Sequence, residues 1–316
     1  MEIAPLAALS PLAPIEFYIS GSTETYLDLN DTLLYLTCRI TKEDGTAIRA
    51  AAKVATIAYP VTTLFNQVDI TLGDRMITQS DNMYAYRAYI ESILSYSNDT
   101  LDTQLTAGLF YKDTVGHMED YALDGNNKGF IKRSLYATGA FCLNSDDAEA
   151  YKLVIVSASL FNKRVNVSPT VRLAHADALQ VSNLKYPVER TSPKIFSVSA
   201  GSRVASQDNL FLGQLTKIIV IDFVDNIAFS GDYANNPFNF KHYNINYAAL
   251  FKDGVVIHAK AYSPSFQQKN TIREYLGLVS ISGKHMRDKG FVILRDDYDG
   301  GYTLLAFDLR PDNASS

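Results

Sequence analysis

The sequence feature that most constrains the fold is a unit of strand, tight turn, strand and amphipathic helix that occurs twice. In the first copy, residues 65–72 predict a strand and residues 75–78 predict the returning strand. Gly73 and Asp74 lie between them, and glycine supplies the positive φ that a two-residue hairpin turn needs. The helix is predicted from apolar residues at helical spacing: Tyr86, Tyr89, Ile90, Ile93 and Leu94. The polar residues before it supply three candidate N-caps: Ser80, Asp81 and Asn82.

The second copy lies about 180 residues further along the chain. Residues 244–250 predict a strand, Asp253-Gly254 the turn and residues 255–258 the returning strand. Residues 271–278 follow where the helix belongs. A unit that is used twice at this separation indicates a duplicated domain.

Most of the remaining sequence predicts short strands. The segments with strand character are residues 15–20, 25–41, 54–59, 151–161, 194–199, 215–224, 291–294 and 302–309. A short helix is predicted over residues 171–178, and residues 117–139 are predicted to form a long loop. Many short strands with a few short helices predict an all-β protein of the sandwich or barrel class. The polar residues 200–207 are the candidate domain boundary.

Composition narrows the function classes. The chain has 316 residues, enough for two domains, and 47% of them are apolar, which is ample for a core. The net charge of −5 is spread along the chain without a block of Lys and Arg, so no nucleic-acid surface is predicted. No apolar run has the length of a membrane span. Two distant cysteines, Cys38 and Cys142, predict free thiols rather than a disulfide scaffold.

No motif in the sequence predicts a catalytic, cofactor or metal site. The histidines lack metal-ligand spacing; they are His117, His175, His242, His258 and His285. Residues 277–285 resemble a phosphate loop, but the spacing is wrong and His285 stands where Ser or Thr must bind magnesium. Two acidic clusters are interpreted as turn residues that face water: Asp296, Asp297 and Asp299, and Asp146, Asp147 and Glu149. Two basic pairs are interpreted as solvated faces: Lys132 with Arg133, and Lys163 with Arg164. We therefore expect no enzymatic activity.

Several long stretches resemble the double jelly-roll major capsid proteins of Polinton (Maverick) elements and adintovirus-like viruses. Relatives of these proteins also occur in animal genomes as uncharacterised hexon-like proteins. The resemblance begins with PIEFYISGSTETYLDLNDTLLYLTCRITKEDGT at residues 14–46. It continues in residues 65–74, 82–96, 104–114, 140–179, 186–201, 208–231, 236–254 and 296–312. These stretches cover most of the chain.

This resemblance implies a double jelly roll, which is two antiparallel β-sandwiches in tandem. Residues 1–14 would form an N-terminal arm, residues 15–200 the first roll, and residues 201–316 the second roll, without its last strands. The implied function is that of a major capsid protein, a viral structural protein whose homotrimers are pseudohexagonal capsomers of an icosahedral shell. The implied partners are neighbouring capsomers, penton proteins and minor capsid proteins. The implied location is the virion, after assembly inside the host cell.

The sequence departs from the family pattern at two places. Family members carry further residues, including strands, between Gly139 and Ala140, and they continue beyond the end of this sequence. Either residues are omitted here, or the chain is a shortened relative. A shortened or domesticated relative would serve as a binding module for glycans or a receptor, without capsid assembly. The predicted contact surfaces are the arm at residues 1–14 and the loops at residues 116–139 and 230–239, since long loops in compact domains are usually functional.

Overall fold

The computed structural model describes residues 1–11, 13–49, 52–78, 81–135, 143–145, 150–186, 189–211, 216–285, 287 and 290–310. The strands in these ranges are β1 (Glu2–Ile3), β2 (Thr25–Lys42), β3 (Val54–Thr56), β4 (Thr71–Leu72), β5 (Arg75–Met76), β6 (Leu143–Ser145), β7 (Tyr151–Asn166), β8 (Ile218–Ile221), β9 (Ala248–Lys252), β10 (Val255–Tyr262) and β11 (Leu305–Asp308). The helices are α1 (Pro60–Thr63), α2 (Tyr84–Ser95), α3 (Asn98–Asp102), α4 (Lys128–Ser134), α5 (Pro169–Val181), α6 (Asn226–Phe229), α7 (Ile272–Ile281) and α8 (Arg295–Tyr298), with a 3₁₀-helix at Gln104–Gly108.

The fold is mixed, so the predicted all-β double jelly roll is wrong. About 23% of the described residues are helical and about 24% are in strands. The sheets formed by these residues are small: one has three strands in the order β1-β7-β2, and the others are the pairs β9-β10, β8-β11, β3-β6 and β4-β5. A jelly roll needs eight strands in two facing sheets. The described strands do not form such a pair of sheets.

Three predicted strands account for much of this error. Residues 15–20, 194–199 and 291–294 adopt no strand structure. Alternation of apolar side chains indicates an extended chain, but a strand also needs a partner in register, which one sequence does not reveal. The predicted loop at residues 117–139 is also partly wrong, because helix α4 lies within it.

Both copies of the hairpin–helix unit are confirmed. The first comprises β4, β5 and α2, and the second comprises β9, β10 and α7. In the second turn, Asp253 and Gly254 both have positive φ, 51° and 80°, as a two-residue hairpin turn requires. The predicted N-caps of the first helix are wrong. Met83 occupies that position, and Asp81 instead accepts a hydrogen bond from the Met83 amide at 3.1 Å.

The first of two compact units contains the described residues within Met1–Ala52 and Glu149–Thr191. Its centre is the antiparallel ladder of β2 and β7, which runs from the pair Thr25↔Asn166 to the pair Lys42↔Tyr151. The start of the arm lies on this sheet, because β1 pairs with β7. Helix α5 is confirmed near its predicted bounds. Ser168 caps it, and Pro169 starts its first turn.

The second unit contains the described residues within Lys53–Leu135, Leu143–Ala148 and Ser192–Ser316. Helices α2 and α7 both contribute to its main core, through Tyr89, Ile93 and Leu278. Tyr89 stacks on Phe238 with ring centroids 4.1 Å apart. The two copies of the repeated unit therefore share one hydrophobic core. The domain boundaries predicted from the sequence, at residues 14/15 and 200/201, stay a prediction.

Candidate functional site

A fully buried ion pair lies in the core of the second unit. Nη2 of Arg133 is 2.6 Å from Oδ1 of Asp113, and neither side chain has exposed surface. Arg133 also donates from Nε to the carbonyl of Thr56 at 2.6 Å and from Nη1 to the carbonyl of Tyr111. The sequence-based interpretation of Arg133 as part of a solvated face is therefore wrong. Helix α4 places this side chain in the core, where a charge is stable only when it is paired and hydrogen-bonded.

Two buried asparagines hold the loops beside this ion pair. Asn236 donates from Nδ2 to Oδ2 of Asp113 at 2.9 Å. Oδ1 of Asn127 accepts from the amides of Thr114 at 3.2 Å and Phe130 at 3.3 Å. Asn236 lies in loop 230–239 and Asn127 in loop 116–139, and both donate from Nδ2 to the carbonyl of Met118, at 3.3 and 3.4 Å, so the two predicted contact loops meet there. Their role in contacts between subunits stays a prediction.

Two tyrosines complete the buried polar network. The Tyr302 hydroxyl donates to the carbonyl of Asp113 at 3.2 Å. Burial, and then the neighbouring Tyr89, raise the pKa of Tyr302 well above its ordinary value. Burial, and then the charge of Asp113, raise the pKa of Tyr89 in the same direction. Both phenols therefore stay neutral near pH 7, and the network holds loops in place rather than supplying a phenolate nucleophile.

An open surface cavity of about 450 Å³ lies in the same unit. It is lined by residues 116–120, by Asn239, and by residues 241–243 and 299–301. Lys241 lies at its wall, with Nζ 3.0 Å from Oε1 of Glu119 and 3.9 Å from Oδ2 of Asp225. Burial alone would lower the pKa of Lys241, but the hydrogen bond and the charge of Glu119 outweigh burial and raise it. The cavity thus presents a charged, hydrogen-bonding wall suited to a polar ligand.

The described histidines do not form a metal centre. His117 and His242 line the cavity, and His175 accepts or donates a hydrogen bond with the Tyr26 hydroxyl at 2.8 Å. His242 stacks on Phe266 with centroids 4.1 Å apart, and its Nδ1 accepts from the Asn244 amide at 2.9 Å. These two neighbours satisfy the His242 ring, which lies outside the strands. Among the described residues, no three His, Cys, Asp or Glu side chains come close enough to hold a metal ion.

One acidic cluster departs from its predicted role. Asp297 forms an ion pair with Lys112, and their side chains are only 15% and 18% exposed. Asp299 accepts from the Thr271 hydroxyl at 3.1 Å, whereas Asp296 is exposed. The interpretation of all three as water-facing turn residues is therefore wrong for Asp297. The second acidic cluster (Asp146, Asp147 and Glu149) and Cys142 lie outside the described residues.

The other predicted surface residues fall in the first unit. Lys163 forms exposed ion pairs with Asp28 and Asp31, and Arg164 donates to the carbonyl of Ser20 at 2.9 Å. Cys38 is buried. These contacts agree with the interpretation of Lys163 as part of a solvated face. None of the described helices is both long and apolar enough to cross a membrane.

The first unit also exposes a large amount of apolar side chain. Helix α5 has no buried residue, and Leu173 and Val181 are 65% and 90% exposed. On the neighbouring strands, Leu33, Tyr35 and Val156 are more than half exposed. Large exposed apolar surfaces mark interaction sites. We call the exposed apolar side chains of β2, β7 and α5 together the apolar face of the first unit.

Comparison with known proteins gives one distant relative. The chain is 21% identical over 344 aligned positions to an uncharacterized protein of Caenorhabditis elegans, and the alignment covers 94% of this chain and 80% of the relative. Because the alignment is longer than the chain, the relative carries residues that have no counterpart here. No family model matches the chain. No solved structure matches it either.

Proposed function

We propose that this chain is a structural subunit of a capsid-type protein shell that assembles first as a homotrimer. It would act through its surfaces, without enzymatic activity, cofactor or metal. Its partners would be further copies of itself in neighbouring capsomers, together with penton and minor capsid proteins. Its location would be the virion, after assembly inside the host cell. The sequence resemblance to Polinton and adintovirus-like capsid proteins suggests this class.

The observation that carries the proposal is the apolar face of the first unit. A small sheet owes its stability to a hydrophobic face or to packing against a helix. Here Leu33 and Tyr35 on β2 and the whole of α5 remain accessible to solvent. Covering such a face with other subunits removes apolar surface from water at about 25 cal/mol per Å². Obligate homo-oligomer interfaces are of this hydrophobic kind.

The fixed loops of the second unit offer a second line of support. The buried Asp113–Arg133 pair and Asn236 fix the loops of this unit, and a fixed surface loses little entropy on assembly.

The test is the native mass of the purified protein by light scattering across a range of concentrations. A trimer would have a mass of about 105 kDa, three times the chain mass of 35.0 kDa. The variant Leu173→Glu places a charge on the apolar face at a residue that is 65% exposed, so it should abolish the trimer without unfolding the chain. Thr170→Glu adds the same charge at an exposed polar position of the same helix and should assemble normally. A wild-type monomer at every concentration contradicts the proposal.

The surface cavity favours a second candidate, a binding module for glycans or a receptor. Glu119, Lys241 and Asn239 already form hydrogen bonds across its wall, and sugar hydroxyls bind to groups of this kind. A monomer that binds a glycan array, and loses that binding in Lys241→Ala, would support this candidate over the first.

A further inference from the structure

Among the described residues, the longest strand of the first unit has one edge that no strand covers over residues 25–37. This strand, β2, is 18 residues long and lies at the edge of the sheet β1-β7-β2, and its pairings are the ladder with β7 and a bridge between Thr41 and Ala47. Over residues 25–37, none of its side chains is buried. An edge strand presents a row of backbone donors and acceptors to any extended chain that fits against it. The edge of β2 is therefore a template for a further strand, in two stretches, because its ladder with β7 is irregular between Asp28 and Leu33.

The chain also contains a segment with strand character that forms no strand in the structure. Residues 194–199 read KIFSVS, and their β-branched and aromatic residues favour strands. Ile195, Phe196 and Val198 are 52%, 46% and 51% exposed, and the whole segment lies outside helices and strands. An exposed apolar segment of this kind is suited to pairing with another chain.

The charges of the two regions are complementary. From residue 15 to residue 38 the chain has four acidic residues and no basic one, and Glu24 and Asp28 flank the start of β2. From residue 190 to residue 207 it has three basic residues, Arg190, Lys194 and Arg203, and no acidic one. Lys163 neutralises part of the acidic charge through its pairs with Asp28 and Asp31, but Glu16 and Glu24 add to it. Opposite charges bring two such surfaces together and select the partner.

We propose that residues 194–199 of one copy of the chain add as a strand to the β2 edge, at residues 25–37, of a second copy. This inference rests on the proposed function, because it names the contact by which the trimer assembles. The edge and the segment are different surfaces of one chain, so the contact is heterologous. A heterologous contact that closes forms a ring, as a cyclic trimer requires. Backbone hydrogen bonds would supply the affinity, and Phe196 and Val198 would cover part of the apolar face.

The first test replaces one backbone donor of the segment. Phe196→Pro removes an amide N–H that strand pairing needs and leaves the core unchanged, because Phe196 is 46% exposed. We expect it to raise the concentration for half-assembly by about tenfold or more, since it removes a backbone hydrogen bond and distorts its neighbours. Val204→Pro is the matched control, at a coil position that is 83% exposed and outside the segment. This control should assemble as the wild type does.

The second test is hydrogen exchange of the full chain, followed by mass spectrometry. Peptides covering residues 194–199 should exchange slowly in the assembled protein and rapidly in dilute monomer, whereas residues 202–208 should exchange rapidly in both. Slow exchange of residues 194–199 in the monomer would overturn the inference, because it would show pairing within one chain.

The two tests separate this inference from the proposed function. If the wild type forms trimers, but residues 194–199 exchange rapidly and Phe196→Pro assembles normally, the strand contact is wrong and the structural role stands. If the wild type stays monomeric at every concentration, the structural role and the strand contact are both wrong.

Discussion

The buried ion pair allows a sharp test of what holds the second unit together. The change is Arg133→Met, which keeps the length and apolar character of the side chain and removes the guanidinium. Three groups lose their partner: the carboxylate of Asp113, the carbonyl of Thr56 and the carbonyl of Tyr111. The side chain of Asp113 has no exposed surface and retains the hydrogen bond from Asn236 at 2.9 Å.

Removing one member of a buried ion pair costs about 3–5 kcal/mol of unfolding free energy. Each carbonyl left without its donor adds about 1–3 kcal/mol when it stays buried. We therefore expect Arg133→Met to lose about 5 kcal/mol or more. Since single domains are stable by about 5–15 kcal/mol, this loss brings the second unit close to unfolding at room temperature. Asp113→Asn should cost less, because Arg133 keeps both carbonyl acceptors.

The measurement is urea unfolding of each variant, followed by circular dichroism at pH 7. The matched control is Arg87→Met on helix α2, where the arginine lies 3.6 Å from Glu91 and both side chains are partly exposed. An exposed pair at this spacing contributes about 0.3–0.5 kcal/mol, so the control should lose less than about 1 kcal/mol. The reasoning is refuted if Arg133→Met unfolds at the same urea concentration as Arg87→Met.

Two further predictions concern the second unit. Burial raises the pKa of Asp222 from 3.8 to about 6, because the buried carboxyl group is more stable in its neutral form. The wild type should therefore lose stability as the pH rises from about 4 to about 6 and this carboxyl group ionises. Asp222→Asn should have the same unfolding free energy as the wild type below about pH 4, and an unfolding free energy up to about 3 kcal/mol higher above pH 6. The measurement is urea unfolding of both proteins at a series of pH values. A difference that stays constant across this range would contradict the raised pKa. Gly301→Ala should cost about 2–3 kcal/mol of unfolding free energy, because Gly301 has a φ of 119°, which L residues rarely adopt. An added Cβ would also collide with the Met118 side chain and lie 2.7 Å from Oδ1 of Asn239. Gly290→Ala, where a Cβ meets nothing within 4 Å, should be nearly neutral, and equal losses in the two variants would refute the steric argument.

Local patterns in the sequence predicted local structure well. The turn at Asp253-Gly254, the helix α7 and the helix α5 were all predicted from residues that lie close together in the chain. Helical spacing and positive-φ turn residues act over a few positions, so the sequence displays them directly. The resemblance to capsid proteins and the function that it implies stay proposals.

Long-range arrangement could not be predicted in the same way. Asp113 binds Arg133, which is 20 residues away in the sequence, and Asn236, which is 123 residues away. No sequence pattern near Asp113 predicts either partner. Arg133 follows Lys132 in the sequence. A pair of basic residues gives the same sequence pattern when a helix buries one of them as when it exposes both, so the burial of Arg133 could not be predicted. The predicted strand at residues 194–199 illustrates the same limit, because its strand character says nothing about where a partner strand lies.

The shared core of the second unit has a consequence for synthesis on the ribosome. Tyr89 stacks on Phe238, and the core closes only with residues 291–306 near the end of the described chain. The apolar side of helix α2 therefore stays exposed while the ribosome adds more than 200 further residues. The first unit completes its sheet much earlier, once β7 has emerged. Cotranslational folding should thus proceed in two separated stages, and the long interval between them is when the nascent chain most needs a chaperone.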